Sequence, residues 1–404
     1  MMTAAHPTSF SERDRVALVH DQLVQRGGAE RVALLMADAF PGAPMYTSLF
    51  DPSRTFPEFA SLDVRTSLLD RVVWFRGHVR AALPFMAFAF SSLRPTASVT
   101  LCSSTGWSHG VRSSGRKVVY CHAPARWLYQ TDRYLGRPAQ KAPATSGDDA
   151  SGGAGAGRQS VRPSVRPSMA QVALWALGRP LRRWDQRSAR TAHRYLANSS
   201  ATAASVRAVY GIETEVLPPP PALVPGGEER AVDGVEPGYW LCVSRLLPYK
   251  NVDVVVDAVR GRPGERLVVV GDGPERLSLE QKSGGQVQFL GALVDEELRW
   301  LYRNCRGLIS ASYEDFGLTP LEAAAFGRPS AVLRWGGFLD TLRDGVTGVF
   351  FDEPEPEAVR GALDRLIDLA IPPEILVAHA ALFDHDRFIA RLQEIVEEEL
   401  AHVA

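Results

Sequence analysis

Lysine is nearly absent from this chain: there are four, against 41 arginines. Each one is therefore conspicuous, Lys250 above all. Cysteine is equally scarce. Cys102, Cys121, Cys242 and Cys305 show no C-x-x-C spacing, which excludes the usual pattern of a structural zinc site. They read as small buried residues in a reducing compartment. Long apolar runs are missing too. The longest, near Ala81–Phe90, falls short of the roughly 20 residues that span a bilayer. The opening MMTAAHPTSFSERDR lacks the apolar core of a secretory signal, so the expected location is the cytoplasm. No G-x-G-x-x-G and no G-K-[ST] ending occurs, which disfavours a dinucleotide-dependent dehydrogenase and a P-loop NTPase. No repeat of fixed period is visible. With 45% hydrophobic and 23% charged residues, the composition excludes a mainly disordered chain, a fibre and a multi-span membrane protein.

At 404 residues the chain is long enough for two domains. Its net charge of −1 hides a division. Residues 1–227 carry 27 Lys/Arg and 15 Asp/Glu; residues 228–404 carry 18 and 31. The segment 71–130 holds eight basic residues and no acid. A basic first half suits an anionic partner, such as a membrane surface, a phosphate or a nucleic acid. No nucleic-acid motif accompanies it, so nucleic acid is set aside.

Short apolar runs alternate with helical periodicity, the pattern of parallel α/β units. Strands are expected at Arg15–His20, Ala97–Cys102, Lys117–Cys121 and Arg194–Ala197. In the second half they are expected at Tyr239–Val243, Leu267–Val270, Val287–Leu290, Gly307–Ala311, Pro329–Leu333 and Gly348–Phe351. The Gly/Ala/Ser/Pro/Arg-rich stretch Gly136–Ser168 has no apolar period and reads as a disordered insertion. The prolines at 218–221 and Pro225-Gly226-Gly227 mark the linker. The expected organisation is a first domain over 1–222, a second over 235–385, and a terminal helix over 386–404 returning to the first. That helix carries Glu394, Glu397, Glu398 and Glu399 late, against the macrodipole, so it should fray or dock on the basic half.

Several motifs sit where α/β sheets bind ligands, beyond the carboxyl ends of strands. In SYEDFGLTPLEAAAFGRP, Glu314 and Glu322 bracket a helix start. Thr319 fits an N-cap with Glu322 in a capping box; equally, two carboxylates around an anion-binding terminus suit a nucleotide-sugar. Arg245 and Lys250 follow a strand and could straddle a diphosphate, or be solvated loop cations. Gly271 and Gly273 form either a plain turn or a close approach to a ligand. Gly27 and Gly28 resemble half of a phosphate loop. His122 ends a strand beside Arg126, Trp127 and Tyr129, as a structural histidine or as part of a sugar-binding loop. Asp384-His385-Asp386 lies away from any strand end and is discounted as a metal site; no metal and no cofactor are expected.

Together these residues resemble the retaining group 1 (family 4) glycosyltransferases of GT-B fold. The resemblance runs through VALVHDQLVQRGGAERV, SSTGWSHGV, VVYCHAPARWLYQ, RRWDQRSARTAHRYLANSS, VSRLLPYKN, VVVGDGP, VQFLGALVDEELRWLY and SYEDFGLTPLEAAAFGRPSAV. The His122 and Trp184-Asp185 blocks look closest to bacterial mannosyltransferases of O-antigen and exopolysaccharide assembly. The resemblance implies two Rossmann-like domains facing each other across a cleft. It implies a hexose, best guess mannose from GDP-mannose, moved to a glycan or lipid-linked acceptor, with peripheral contact at the inner face of the membrane. Glu314 would meet sugar hydroxyls, with Phe316, Gly317 and Leu318 offering backbone amides. Glu322 would hold the ribose, and Arg245 and Lys250 would neutralise the diphosphate without a metal. His122 would lie under the sugar, and Gly27 and Gly28 would approach from the other domain. Where the family often has Gly-Gly-x-x-Glu, this chain has Gly336-Gly337-Phe338-Leu339-Asp340. A non-catalytic sugar-nucleotide-binding scaffold, an epimerase and a phosphorylase of the same fold are the competing readings.

Overall fold

The computed structural model describes residues 15–130 and 169–403; the expected insertion lies outside them. Two separate parallel sheets organise the chain. The first comprises β1 (Val16–His20), β2 (Met45–Thr47), β3 (Val64–Thr66), β4 (Val99–Ser104), β5 (Arg116–Cys121), β6 (Arg194–Ala197) and β7 (Glu215–Val216). Their order is β3-β2-β1-β4-β5-β6-β7. The second comprises β8 (Trp240–Val243), β9 (Leu267–Val270), β10 (Val287–Gly291), β11 (Gly307–Ser310), β12 (Ser330–Leu333) and β13 (Gly348–Phe351). Their order is β10-β9-β8-β11-β12-β13. In each sheet the order reverses beside the first strand, between β1 and β4 and between β8 and β11. That reversal opens a crevice at the carboxyl ends.

Each sheet is covered on both faces, so its strands read as unbroken apolar runs rather than alternating ones. Val16, Leu18, Leu101, Val118 and Tyr120 enter one core of the first sheet. Val19, Cys102, Val119 and Cys121 enter the other. The second sheet divides likewise between Cys242, Leu267, Val269 and Ile309 and, on the opposite face, Leu241, Val268, Val270 and Leu308. All four cysteines are buried free thiols.

The chain crosses between the sheets twice. It leaves the first core at Leu217 and joins the second at Leu223, through the prolines at 218–221. The helix Pro373–Ala380 still belongs to the second core through Leu376 and Ala380. The helix His385–Ala401 then packs Phe388, Leu392, Ile395 and Val396 onto the first sheet. The late acids of that helix do not fray. Glu397 pairs with Arg15 at 3.0 Å, and Glu398 and Glu399 pair with Arg194 and Arg116. Asp384 caps the helix by accepting from the Arg387 N–H at 3.2 Å, which accounts for one acid of the D-x-D sequence.

Candidate functional site

The site grows from strand register. In the first sheet His20 pairs with Ser103 and Ser104 with Cys121, so the ends of β1, β4 and β5 lie level. His122, one residue past β5, therefore meets its neighbours' ends. Its Nε2 lies 2.8 Å from Ser103 Oγ, which lies 2.9 Å from His20 Nδ1. His20 Nε2 is 3.9 Å from Glu30, a buried carboxylate on the helix Gly28–Ala39 that also accepts from Gln25 at 2.9 Å. Burial, with the charges of His20 and Arg126, pushes the His122 imidazole down to about 3. His122 is therefore neutral near pH 7, a hydrogen-bonding group and not a cation. Nothing in the spacing of Ser103, His20 and Glu30 singles them out; only the parallel register brings them together.

On the facing side, the loops after β8 and β11 converge. Lys250 is buried and its Nζ is bonded to Glu314. Burial pushes Glu314 up, but Lys250, with Arg126 and Arg245 beyond it, outweighs burial and holds the carboxyl below its usual value. Arg245 stays exposed and donates to Tyr249 Oη at 3.3 Å. Gly271 has φ +126, and a Cβ there would fall 2.0 Å from the Ser244 carbonyl oxygen. A Cβ on Gly273 would fall 2.3 Å from that of Leu246. The protein's own backbone beside Arg245 thus accounts for both glycines. Gly317, at φ +81, is required by the ring of Phe338, 2.4 Å from its would-be Cβ.

The capping box expected at Thr319 does not form. The helix is Thr319–Ala325, Leu318 is the N-cap, and no side chain caps it. Glu322 instead accepts from Tyr302 Oη at 2.6 Å in the interior, where burial raises its pKa. A buried phenol at hydrogen-bonding distance outcompetes a local backbone contact for that carboxylate.

Residues of the two halves meet directly. A Cβ on Gly28 would fall 3.3 Å from Leu318 Cδ1. Arg126 is ion-paired with Asp315 and lies 5.8 Å from the Tyr249 ring centroid. Arg31 pairs with Asp295 at 2.8 Å, and Ser199 Oγ donates to the Asp315 carbonyl at 2.5 Å. Asp340, the short substitute in the Gly-Gly-x-x-Asp segment, reaches across. It accepts from the backbone N–H and the hydroxyl of Ser200, both at 2.6 Å, at the start of the helix Ser200–Tyr210. Asp315, Ser199 and Ser200 were not singled out by the sequence, because their role exists only across the cleft. Among the described residues no cluster of His, Cys, Asp and Glu has the makings of a metal site.

Residues 229–381 match the family model described as Glycosyl transferases group 1. The chain is 31% identical over 245 residues to D-inositol 3-phosphate glycosyltransferase of Acidothermus cellulolyticus, covering 52% of this chain and 54% of that protein. It is 33% identical over 176 residues to the protein of the same name from Mycolicibacterium paratuberculosis, covering 39% and 40%. The chain thus spans about half the length of the first of these relatives and less of the second. Among solved structures it resembles sucrose-phosphate synthase from Thermosynechococcus elongatus, with a TM-score of 0.67 at 17% identity, over 96% of this chain and 100% of that one. It also resembles Anabaena HepE in complex with UDP, with a TM-score of 0.64 at 16% identity, over 95% and 100%. The fold is GT-B: two Rossmann-like domains facing each other across a cleft.

Proposed function

We propose that this chain is a glycosyltransferase that moves a hexosyl group from a nucleotide-sugar to a glycan or lipid-linked acceptor, with retention at the sugar carbon. The observation that carries the reading is the buried Lys250–Glu314 pair at the reversal point of the second sheet, inside the segment that matches group 1 glycosyltransferases. A lysine placed there, in a chain with four, has a charge-specific task.

Charge accounting gives the mechanism. Cleaving the sugar–phosphate bond leaves negative charge on the diphosphate and positive charge on the sugar carbon. Fixed cations that already face the leaving group stabilise that separation without reorganising. Lys250 and Arg245 supply them, and the Phe316–Leu318 amides add hydrogen bonds. Glu314 accepts from a sugar hydroxyl, and Glu322 from the ribose. His122 keeps Nε2 on Ser103 and offers Nδ1 to the sugar. The acceptor attacks on the face that the diphosphate leaves, and a diphosphate oxygen takes its proton. Contacts across the cleft, Gly28 to Leu318 and Arg126 to Asp315, keep water away from the sugar carbon.

GDP-mannose is the proposed donor, from the resemblance of the His122 and Trp184-Asp185 blocks. A UDP-sugar is the second reading, favoured by the likeness to a structure solved with UDP. A thermal-shift series with GDP, UDP, ADP and dTDP and their sugars separates the two, because a ligand of the folded state raises the melting temperature. Lys250→Ala should abolish the shift for the accepted nucleotide and lower turnover by about 10²-fold or more. A protein that ignores every nucleotide, or a Lys250→Ala variant at full rate, refutes the proposal.

A further inference from the structure

The mechanism leaves two buried titratable side chains of the first half without a task, His20 and Glu30. Ser103, buried as well, joins them to His122. Its hydroxyl lies 2.9 Å from His20 Nδ1 and 2.8 Å from His122 Nε2. In so dry a place a mismatched donor or acceptor stays unsatisfied, so the protons must be shared out consistently. A serine hydroxyl has one proton, hence it donates to one imidazole and accepts from the other. Two directions exist. In the first, His20 Nδ1–H donates to Ser103, and Ser103 donates to His122 Nε2. In the second, His122 Nε2–H donates to Ser103, and Ser103 donates to His20 Nδ1. With one proton on each ring, the first direction leaves His20 Nε2 bare, and the second puts a proton there.

Glu30 decides between them. Its Oε1 is 3.9 Å from His20 Nε2. That is too far for a hydrogen bond, but near enough for the carboxylate to repel a lone pair and favour an N–H. The carboxylate is held where it is. Gln25 donates to Oε1 at 2.9 Å, and Glu30 sits in the first turn of the helix Gly28–Ala39, where the macrodipole favours negative charge. Gly27 makes room for it, since a Cβ there would fall 2.6 Å from Glu30 Oε2.

We infer that Glu30, His20 and Ser103 are positioning residues that fix the proton of His122 on Nε2 and leave Nδ1 as an acceptor for a hydroxyl of the donor sugar. The inference rests on the placing of His122 beside the sugar in the proposed reaction. It narrows the substrate. The sugar must present an O–H to this ring, because an ether oxygen, a fluorine or a methyl group in that place has no proton to give. It also explains why His122, neutral near pH 7, is tied down on one nitrogen only: the hydrogen bond on one side of an imidazole sets what the other side offers.

Imidazole ¹⁵N spectroscopy of the full chain, without nucleotide and at about pH 8, where an ordinary imidazole is neutral, reads the tautomer directly. Bare and protonated ring nitrogens differ widely in shift, and His20→Gln and His122→Gln assign the signals. Wild-type His122 should show one form, protonated at Nε2. Ser103→Ala should let both forms appear, and Glu30→Gln should do the same from two groups away. Ser103→Thr, which keeps the hydroxyl, should retain the wild-type form. Ser103→Ala should also lower turnover about tenfold, the worth of one hydrogen bond, while the thermal shift given by the nucleoside diphosphate stays that of wild type. A proton on Nδ1 of His122 in wild type overturns the inference. So does a His122 signal that neither Ser103→Ala nor Glu30→Gln alters. The nucleotide series judges the donor site separately: a chain that ignores every nucleotide while keeping these tautomers refutes the donor assignment and not the position of the proton.

Discussion

Remove Lys250 or Glu314 and the survivor is a charge left in a largely buried setting. Such a loss costs about 3 kcal/mol, more than the pair itself is worth against neutral groups. Lys250→Met and Glu314→Gln should each lower stability by about that amount, and the double variant by less than their sum. Denaturant titration of the four proteins decides; additive costs would mean that the two side chains do not act as a pair. All three variants should be catalytically impaired, Glu314→Gln through turnover more than through donor affinity. His122 yields a pH prediction. Its folded pKa of about 3 lies below the ordinary 6.5, so the unfolded chain binds the proton that the folded one refuses. Stability attributable to this residue is intact above pH 6.5 and is lost as the pH falls towards 3. By pH 5 the loss is about 2 kcal/mol. His122→Gln should therefore fall off less steeply in acid than wild type. Parallel acid limbs in the two melting profiles would contradict a buried neutral imidazole.

At the scale of elements, the terminal helix shows which contacts dominate. Its surface ion pairs with Arg15 and Arg194 contribute at most about 1 kcal/mol each. Phe388, 2% exposed and edge-on to Tyr120 at 5.7 Å, outweighs them. Phe388→Ala should cost about 3–5 kcal/mol, whereas Glu397→Ala should be nearly silent. A chemical-denaturation midpoint that moves more for Glu397→Ala reverses that ranking. Legibility from the sequence follows the same division. Runs buried on both faces, such as Leu267–Val270 and Gly348–Phe351, are readable because their hydrophobicity is unbroken. The edge strands β3 and β7, and β2 next to the edge, have two or three residues, too few to show a period, and were not expected. The residues after β8 and β11 were legible because strand ends are where ligands bind. The Thr319–Glu322 box misled, since local capping chemistry looks the same whether or not Tyr302 waits across the core. The partners of Asp315 and Asp340 were invisible, being more than a hundred residues away.

For the whole molecule, the question is what keeps the cleft closed. Asp340 supplies a carboxylate to the first N–H of a helix in the opposite half, a capping arrangement worth about 1 kcal/mol. Asp340→Ala should shift the balance between closed and open forms about fivefold towards open. Small-angle scattering should then show a larger radius of gyration without donor, recovered on adding it. Identical scattering from variant and wild type would remove Asp340 from this role.

The chain passes between the halves twice, at 218–222 and at 381–384. Two bodies tied at a single point can turn about any of three axes; tied at two, they turn about the line that joins the ties. The short return through Phe383 thus makes the protein a hinged door and not a ball on a string. Turning about that line would part Arg126 from Asp315 and Ser200 from Asp340 in a single movement.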